Sequence, residues 1–248
     1  MVESSLLTKV FGLLEASAGS TDGRPLAELA AEVGLAKPTA HRILKTLVAL
    51  GYMEREDGGV YRQTAQVRRL ASADDDRRLT RAADRPLREL WETTGETVNL
   101  GVLRLGRVAY LSVLESQKSL RRSVVPGMTD PFASTALGRA IAAHLPDDRV
   151  AYLLRTTPLE KRTPNTLVTP AALKKVFAEA RTNGYAYEEN ETDLGVMCIG
   201  AALFDSTGVA GAISLSAPTA RVAERLNWID AVRRTAERIT ACLMGQGD

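Results

Sequence analysis

Apolar residues in the first 63 positions recur at helical spacing in three stretches. In a fourth stretch, apolar and polar residues alternate. The spacing predicts three helices that end near Gly19, Gly34 and Gly51. Residues 52–63 then alternate apolar and polar side chains around Asp57-Gly58-Gly59, which favours a two-strand hairpin. The pattern therefore predicts three helices followed by a hairpin.

The next stretch, residues 64–84, is rich in Ala, Arg and Asp and poor in large apolar side chains. A helix of this composition is polar nearly all round and is typical of a solvated connection between domains. We therefore predict an N-terminal domain over residues 1–64, a linker helix over 65–84 and a C-terminal domain over 85–248.

In the C-terminal part, β-rich stretches paired by short turns alternate with amphipathic ones. Two β-rich runs join at 105–107, and further extended segments lie at 120–125, 185–191, 198–204 and 209–217. Helices are predicted at 86–95, 134–145, 170–183 and, at the end of the chain, about 222–243. The pattern is typical of an α/β domain around an antiparallel sheet, so the whole chain is of the α+β class.

Composition narrows the function classes. The formal net charge of the 248 residues is only +2, so any nucleic-acid partner has to be argued from local patterning. Cys198 and Cys242 lie far apart, which fits a reducing cytoplasm and indicates neither a disulfide nor, with only two histidines, a metal site. No segment has the roughly 18 apolar residues of a membrane span, and the N-terminus is not a signal peptide. We expect no cofactor and no membrane partner.

The third helix, residues 36–51, concentrates positive charge. Over residues 1–70, Lys and Arg number nine against eight Asp and Glu, yet this helix has three Lys or Arg and no acid. At about 100° per residue its large apolar side chains gather on one side and its cations and threonines on the other. Two helices joined by a short turn and followed by a hairpin are the order of a winged helix-turn-helix.

We assign the exposed side of this helix to duplex DNA, because cations and hydroxyls at a helix start match the major groove and its phosphates. Thr39 and Arg42 suit base edges, whereas Lys37, His41 and Lys45 suit phosphates. On the hairpin, Arg55, Tyr61 and Arg62 could grip the adjacent DNA backbone. A solvated helix face is the alternative, and the surrounding order of elements favours DNA.

Residue chemistry also indicates an anion site in the C-terminal domain. Ser134 or Thr135 caps a predicted helix that begins with Ala136, Leu137 and Gly138, and free N–H groups at such a start attract a carboxylate. On a nearby strand, alternation places the hydroxyls of Ser214 and Ser216 on one face.

Four segments stand in a specific order and spacing along the chain: LAELAAEVGLAKPTAHRILKTLVALGYM, TGETVNLGVL, STALGRAIAA and GYAYEENETDLGVMCIGAALFDSTGVAGAISLSAP. Through these segments the chain resembles the IclR family of bacterial transcription regulators over nearly its whole length. The resemblance implies a winged helix-turn-helix domain, a linker helix and a GAF-like effector domain. It further implies a ligand-responsive repressor that binds palindromic double-stranded operators as a homodimer or homotetramer.

By the same resemblance, a small-molecule effector contacts the C-terminal domain. The expected contacts are Ala136, Leu137, Glu188, Val196, Cys198, Ser214 and Ser216, together with Gly138 at the helix start. We expect an organic acid or an aromatic or sugar-acid metabolite. The run Glu188, Glu189, Glu191 and Asp193 conflicts with an anion if several of these carboxylates point inward.

Two positions depart from the family pattern. Phe132 stands where the family often has His before the helix, which removes one expected polar effector contact. The wing closes with Tyr61-Arg62-Gln63-Thr64 instead of a Tyr-x-Leu-Gly pattern, which affects the path of the wing.

The sequence alone leaves two alternative functions open. A GAF-like fold with Cys198 as a nucleophile would be a redox enzyme, but no histidine or second cysteine lies near it in sequence to activate it. A constitutive DNA-binding protein whose C-terminal domain only oligomerises would need no effector at all.

Overall fold

The computed structural model divides the chain into two compact units, Met1–Asp74 and Asp75–Asp248. The structure describes residues 6–17, 23–56, 58–64, 66–67, 73–104, 106–119 and 121–245. The predicted helix end at Gly19, the turn residue Asp57, most of 65–72 and Leu105 lie outside the described residues.

The N-terminal unit contains the three predicted helices, α1 (Leu6–Ala16), α2 (Leu26–Glu32) and α3 (Lys37–Ala49). The predicted hairpin is formed by β2 (Met53–Arg55) and β3 (Val60–Gln63). A two-residue strand, β1 (Arg24–Pro25), pairs with the free edge of β3, so the small antiparallel sheet has the order β1-β3-β2. This element lies in a stretch whose turn-rich composition predicts a loop.

The N-terminal core forms where the apolar sides of the three helices meet the hairpin. Leu13, Leu29 and Leu44, one from each helix, are all 0% exposed. Met53 and Tyr61 from the two hairpin strands close the same cluster. The core therefore holds α3 by its apolar side and leaves the opposite side exposed.

One long helix, α4 (Ala73–Thr94), replaces the two helices predicted at 65–84 and 86–95. The expectation that the first of these is polar all round is wrong. Side chains at helical spacing on both sides of Pro86 are buried together, namely Leu79, Ala83, Leu87 and Leu90. Pro86 removes one backbone hydrogen bond, and this continuous apolar stripe holds both halves on the sheet.

The predicted antiparallel sheet is present in the C-terminal unit and has six strands in the order β6-β5-β4-β9-β8-β7. The strands are β4 (Thr97–Arg104), β5 (Arg107–Leu114), β6 (Thr129–Pro131), β7 (Ala186–Glu189), β8 (Val196–Asp205) and β9 (Gly208–Pro218). Strand β6 lies where a loop is predicted, and residues 121–125 before it are irregular.

Helices cover both faces of this sheet. They are α5 (Ala136–Ala142), α6 (Asp147–Thr156), α7 (Pro170–Asn183) and, after a 3-10 helix at Thr219–Glu224, α8 (Arg225–Leu243). Helices α4 and α8 pack on the face that carries Ile199 and Leu215. Helices α5, α6 and α7 pack on the other face, against Val108 and Ala212.

Helix α7 begins and ends at the residues that the sequence predicts. The Thr169 hydroxyl accepts from the Ala172 N–H, and Gly184 takes φ 75° after the last turn. Helix α6 is not predicted by the sequence pattern. Within the described residues, no helix combines the length and apolar character needed to cross a membrane.

Candidate functional site

Helix α3 separates an apolar side from a cationic one. Its buried side chains are Ala40, Ile43, Leu44 and Leu47. Its exposed side chains include Lys37, His41, Arg42, Lys45 and Thr46, whereas Thr39 is half-buried. This is the division that the sequence pattern predicts, and it places five of the expected DNA contacts on one helix, four of them exposed.

The start of α3 is electrostatically unusual. The positive end of a helix dipole normally attracts acidic side chains, but the first turn has none and begins with Lys37. Ala36 precedes the helix and supplies no side-chain cap. An external anion would therefore be favoured at this end of the helix by both the dipole and the side-chain charge.

No carboxylate neutralises the cations of α3 within the part of the chain that the structure describes. The acids of the neighbouring helix are already paired, since Arg24 binds Glu28 at 3.4 Å and Glu32 at 2.5 Å. Lys37, Arg42 and Lys45 form no ion pair with any described residue. A run of solvated, unneutralised cations beside a helix start is suited to a polyanion.

The structure changes two of the three contacts expected on the wing. Tyr61 is 2% exposed and belongs to the N-terminal core, so assigning it to the DNA backbone is wrong. Arg62 is bound by Glu54 at 2.7 Å and by Glu56 at 2.8 Å, so its charge is offset. Arg55 is exposed, with its guanidinium 5.9 Å from the Tyr61 ring centroid, and is left as the wing cation that faces solvent.

The departure from the family pattern at the end of the wing has a structural role. The Gln63 amide donates to the Leu14 carbonyl at 2.5 Å and to the Ser17 hydroxyl at 3.0 Å. The Thr64 hydroxyl donates to the Gly51 carbonyl at 2.5 Å. These bonds tie the end of β3 to α1 and to the end of α3, which determines the path of the wing.

In the C-terminal unit, a polar patch lies on the sheet face that α5 covers. Strand register places Ser216 opposite both Cys198 and Thr97, and Ser214 opposite Asn99. Alternation sends their neighbours Ile199, Ile213 and Leu215 to the other face. The patch consists of Thr97, Asn99, Glu188, Cys198, Ser214 and Ser216, and we call it the polar site.

Hydrogen bonds join three strands across the polar site. The Asn99 amide nitrogen donates to the Ser214 hydroxyl at 3.2 Å and to the Ser216 hydroxyl at 3.3 Å. The Cys198 sulfur lies 3.1 Å from the Ser216 oxygen. The Asn99 carbonyl oxygen has no partner among the described residues, although the residue is 1% exposed. A buried acceptor of this kind normally receives a hydrogen bond from a donor.

Glu188 lies on β7, at one edge of the polar site. One carboxyl oxygen accepts the N–H groups of Glu191 at 3.2 Å and Thr192 at 3.3 Å. The other oxygen is buried and forms no hydrogen bond of good geometry within the described ranges, although the neighbouring Cys198 thiol acts on this carboxyl in the direction that lowers its pKa. Burial raises the pKa of this carboxyl above its ordinary value, which favours the protonated form.

Burial also raises the pKa of the Cys198 thiol well above its ordinary value, and the nearby Glu188 adds to the rise. A nucleophilic cysteine requires the opposite shift. Cys198 is thus a neutral hydrogen-bonding group in the wall of the site.

The other acids of the 188–193 run are neutralised by arginines or turned away. Glu191 forms a bidentate pair with the buried Arg139 at 2.7 and 2.5 Å. Asp193 is bound by Arg122 at 2.8 Å and by Arg162 at 3.4 Å. Glu189 lies on the opposite side of its strand and accepts from the Tyr187 hydroxyl at 2.6 Å. Only Glu188 faces the polar site, which removes the expected conflict with an anion.

The start of α5 contributes less than predicted. The Thr135 hydroxyl caps the helix by accepting from the Gly138 N–H at 3.1 Å. A Cβ atom on Gly138 would lie 2.2 Å from the Phe132 carbonyl oxygen, so Gly138 serves close packing and is removed from the expected contacts. Ala136 and Leu137 are buried, and the Ala136 carbonyl lies against Gly200 of β8.

Three further residues complete the surroundings. The Ser134 hydroxyl is buried and without a partner in the described part of the chain. Phe132 is 0% exposed and packs 6.3 Å from the ring of Phe177, so it belongs to the apolar core. Val196 is half-buried and shares its face of β8 with Cys198.

Arg122, at the edge of the polar site, is not predicted by the sequence pattern. Arg122 donates to the Tyr110 hydroxyl at 2.9 Å and to Asp130 at 2.7 Å, in addition to Asp193. It lies in an irregular segment, where an arginine normally points to solvent. Asn99 was also missed, although it alternates with Thr97 on a strand, and this spacing was a usable signal.

Comparison with known proteins gives two family matches. The model of the IclR helix-turn-helix domain matches residues 6–57, and that of the bacterial transcriptional regulator IclR C-terminal domain matches residues 71–241. The HTH-type transcriptional regulator KdgR of Escherichia coli is 34% identical over 98% of this chain and 94% of the relative. The transcriptional repressor IclR of E. coli is 33% identical over 88% and 81%.

Solved structures agree with the sequence matches. Thermotoga maritima IclR is 26% identical with a TM-score of 0.65, covering 96% of this chain and 98% of that one. An IclR homologue from Microbacterium hydrocarbonoxydans complexed with 4-hydroxybenzoate is 22% identical with a TM-score of 0.63, covering 96% and 99%. These matches are to transcriptional regulators and not to enzymes. The chain therefore belongs to the IclR family of bacterial transcriptional regulators.

Proposed function

We propose that this regulator is a repressor that reads a palindromic operator through α3 and releases it when a small metabolite binds the polar site. The N-terminal residues 1–64 would bind DNA. The predicted C-terminal domain, 85–248, would bind the effector and oligomerise together with residues 75–84, which belong to the same compact unit. A palindrome requires two copies, so a homodimer or homotetramer is expected. Such a protein would act in the cytoplasm.

The observation that carries the DNA proposal is the cationic side of α3, which no carboxylate of the described residues neutralises. Thr39 and Arg42 would contact base edges in the major groove, and Lys37, His41 and Lys45 would contact phosphates. Arg55 would reach the adjacent backbone from the wing, with Arg62 contributing little because Glu54 and Glu56 hold it.

The observation that carries the effector proposal is the group of buried polar atoms at Asn99, Ser134 and Glu188 that have no hydrogen-bond partner among the described residues. Native proteins pair nearly all such atoms, and a site for a small molecule is one reason to leave them unpaired. Ala136, Leu137, Val196, Cys198, Ser214 and Ser216 would form the remaining contacts. The 4-hydroxybenzoate complex of the Microbacterium homologue is a precedent for ligand binding on this fold.

The test combines genomic footprinting with operator titration. Footprinting should identify protected palindromes, and purified protein should bind these fragments more tightly than scrambled duplexes. A metabolite panel should then contain a compound that lowers operator affinity and raises the melting temperature. A ligand at 100 times its dissociation constant should add about 2.7 kcal/mol to stability.

Two results would contradict the proposal. Indifference to every duplex would reject DNA reading by α3. Tight operator binding that no metabolite alters would reject the effector and favour a constitutive regulator with an oligomerising C-terminal domain.

A further inference from the structure

Arg24 of β1 contacts three elements of the N-terminal unit. Its Nη1 donates to the carbonyl oxygen of Ala16, the last residue of α1, at 2.8 Å and to Glu32 at 2.5 Å. Its Nε donates to Glu28 at 3.4 Å. Strand β1 also pairs with the wing strand β3, with Arg24 opposite Tyr61. One residue therefore connects α1, α2 and the wing.

The two carboxylates that Arg24 binds are the only charged groups of α2. Glu28 and Glu32 are one helical turn apart, so they lie on the same side of the helix. Their side chains are 58% and 50% exposed, whereas that of Arg24 is 27% exposed. The hydrogen bond from Glu32 raises the pKa of the guanidinium above its ordinary value. Arg24 thus offsets one of two negative charges and holds both carboxylates on its own side of α2.

The turn between α2 and α3 keeps these carboxylates near the start of α3. The Leu35 N–H donates to the Ala30 carbonyl at 2.8 Å, so the chain returns to the last turn of α2 before α3 begins. Lys37 follows two residues later, at most about 7 Å further along the chain. Charges interact over about 10 Å at an ionic strength of 0.1 M. Glu32 and Lys37 therefore flank one closed turn, at a separation comparable with that length.

A carboxylate released from Arg24 would act against DNA in two ways. It would offer Lys37 a partner within the same chain, and this partner would compete with a phosphate for the cation. It would also repel the phosphates directly. Neither effect depends on the base sequence, because binding to phosphates is an electrostatic contribution common to all duplexes.

Two contacts give the same arginine a role in the fold. The Ala16 carbonyl lies at the end of α1, where a carbonyl has no partner within its helix, so Arg24 caps this end. The backbone pairing of β1 with β3 ties Arg24 to the wing. Neither contact involves a carboxylate, so substitutions of Glu28 and Glu32 separate the electrostatic role from the structural one.

We propose that Arg24 is a positioning residue for DNA binding, which holds Glu28 and Glu32 away from the cations of α3 and from the phosphates. Arg24 itself makes no contact with DNA and acts only through the two carboxylates. This inference rests on the proposed function, since it concerns the same DNA-binding surface. It adds a determinant of affinity that lies outside both α3 and the hairpin.

The test uses the full-length protein and two probes, a mixed-sequence duplex and a fragment protected in footprinting. Arg24→Gln should weaken binding of both probes about threefold to tenfold at low salt, and the loss should shrink as the salt concentration rises. Arg24→Lys keeps the positive charge and should bind within about twofold of the wild type. Circular dichroism melts establish which variants are folded.

A rescue experiment separates the two roles of Arg24. In the double variant Glu28→Gln/Glu32→Gln, adding Arg24→Gln should cause no further loss, and the triple variant should bind at least as tightly as the wild type. A structural role would persist in this background, because the Ala16 carbonyl loses its donor in either case. Arg88→Gln is the control, since it removes an exposed arginine that pairs with Asp84 at 3.2 Å and should leave binding unchanged.

Each contrary result has a separate meaning. A folded Arg24→Gln variant that binds both probes as tightly as the wild type overturns this inference and leaves the proposed function standing. A triple variant as weak as Arg24→Gln also overturns it. If Arg24→Gln fails to fold, the comparison of the triple with the double variant decides, and an unfolded triple variant assigns Arg24 to the fold alone. A wild type that binds neither duplex rejects the proposed function and this inference together.

Discussion

The sulfur of Cys198 lies 3.1 Å from the hydroxyl oxygen of Ser216, directly across the β8–β9 register. Both side chains are buried, and Glu188 lies on the other side of the cysteine at its register position on β7. The thiol is thereby a link in a polar chain that crosses the sheet. Burial and the adjacent Glu188 stabilise it as a neutral group, and this has consequences for its reactivity and for ligand binding.

Cys198 should resist alkylation in the native protein. Each unit by which burial raises a thiol pKa lowers its thiolate fraction about tenfold, and only the thiolate reacts. Iodoacetamide should therefore modify the exposed Cys242 much faster than Cys198. Mass spectrometry of peptides from the native protein measures both rates.

The control is the same labelling in urea, where both cysteines should react at similar rates. Native labelling of Cys198 as fast as that of Cys242 would contradict the neutral thiol and reopen a nucleophilic role. Cys198→Ser should keep operator affinity and change the ligand concentration that releases DNA. An unchanged ligand response would remove Cys198 from the effector contacts.

Glu188 should make the stability of the C-terminal unit depend on pH. Its folded-state pKa is raised, so the native state keeps a proton that the unfolded chain loses as the pH rises past the ordinary glutamate value. The free energy of unfolding should fall by about 1.4 kcal/mol per pH unit between the ordinary and the raised pKa. Below the ordinary value there is no such loss.

Glu188→Gln isolates this dependence, because glutamine does not titrate. The wild type should lose stability relative to Glu188→Gln as the pH rises from about 4.5 through the raised pKa. Melting temperatures of both proteins over this range provide the measurement. A wild type that gains stability relative to the variant would show that the pKa of Glu188 is lowered.

How much of this arrangement was predictable from the sequence depends on the range of the interactions involved. The cationic side of α3 follows from helical period alone, and the common face of Ser214 and Ser216 follows from strand alternation. Arg122 could not be found in this way, because its partners Asp130 and Asp193 come from distant segments. Contacts that folding brings together leave no local pattern.

The errors have equally specific causes. Tyr61 is on a four-residue strand whose two faces the sequence does not distinguish, and the core takes this face. Gly138 looks like an open helix start in sequence, but the Phe132 carbonyl occupies the space beside it. Leu79 and Ala83 are too few among arginines to reveal that α4 is one helix with a continuous buried side.

Replacing Arg42 and Lys45 by alanine, one at a time, should change DNA binding in different ways. Arg42→Ala should cost roughly 1–3 kcal/mol of operator affinity and relax preference at one base position. Lys45→Ala should weaken specific and scrambled duplexes alike and flatten the salt dependence by about one ion. Titrations of operator variants at several salt concentrations separate the two. Equal, sequence-independent losses would reassign Arg42 to a phosphate.

The wing offers a matched pair of substitutions. Arg55→Ala removes an exposed cation and should lower operator affinity, with a smaller salt slope by about one ion. Tyr61→Phe keeps the buried ring that packs in the N-terminal core and should leave operator affinity unchanged. Circular dichroism melts should show both variants folded, so that affinity reports on the DNA contact alone.

Arg62→Ala completes the comparison, because Glu54 and Glu56 hold this guanidinium. Its removal frees two carboxylates beside the wing, so any loss of affinity should be recovered when both acids are also replaced by glutamine. A Tyr61→Phe variant that loses operator affinity while staying folded would return the Tyr61 hydroxyl to the DNA contacts. A triple variant that stays weak would show that Arg62 itself contacts the backbone.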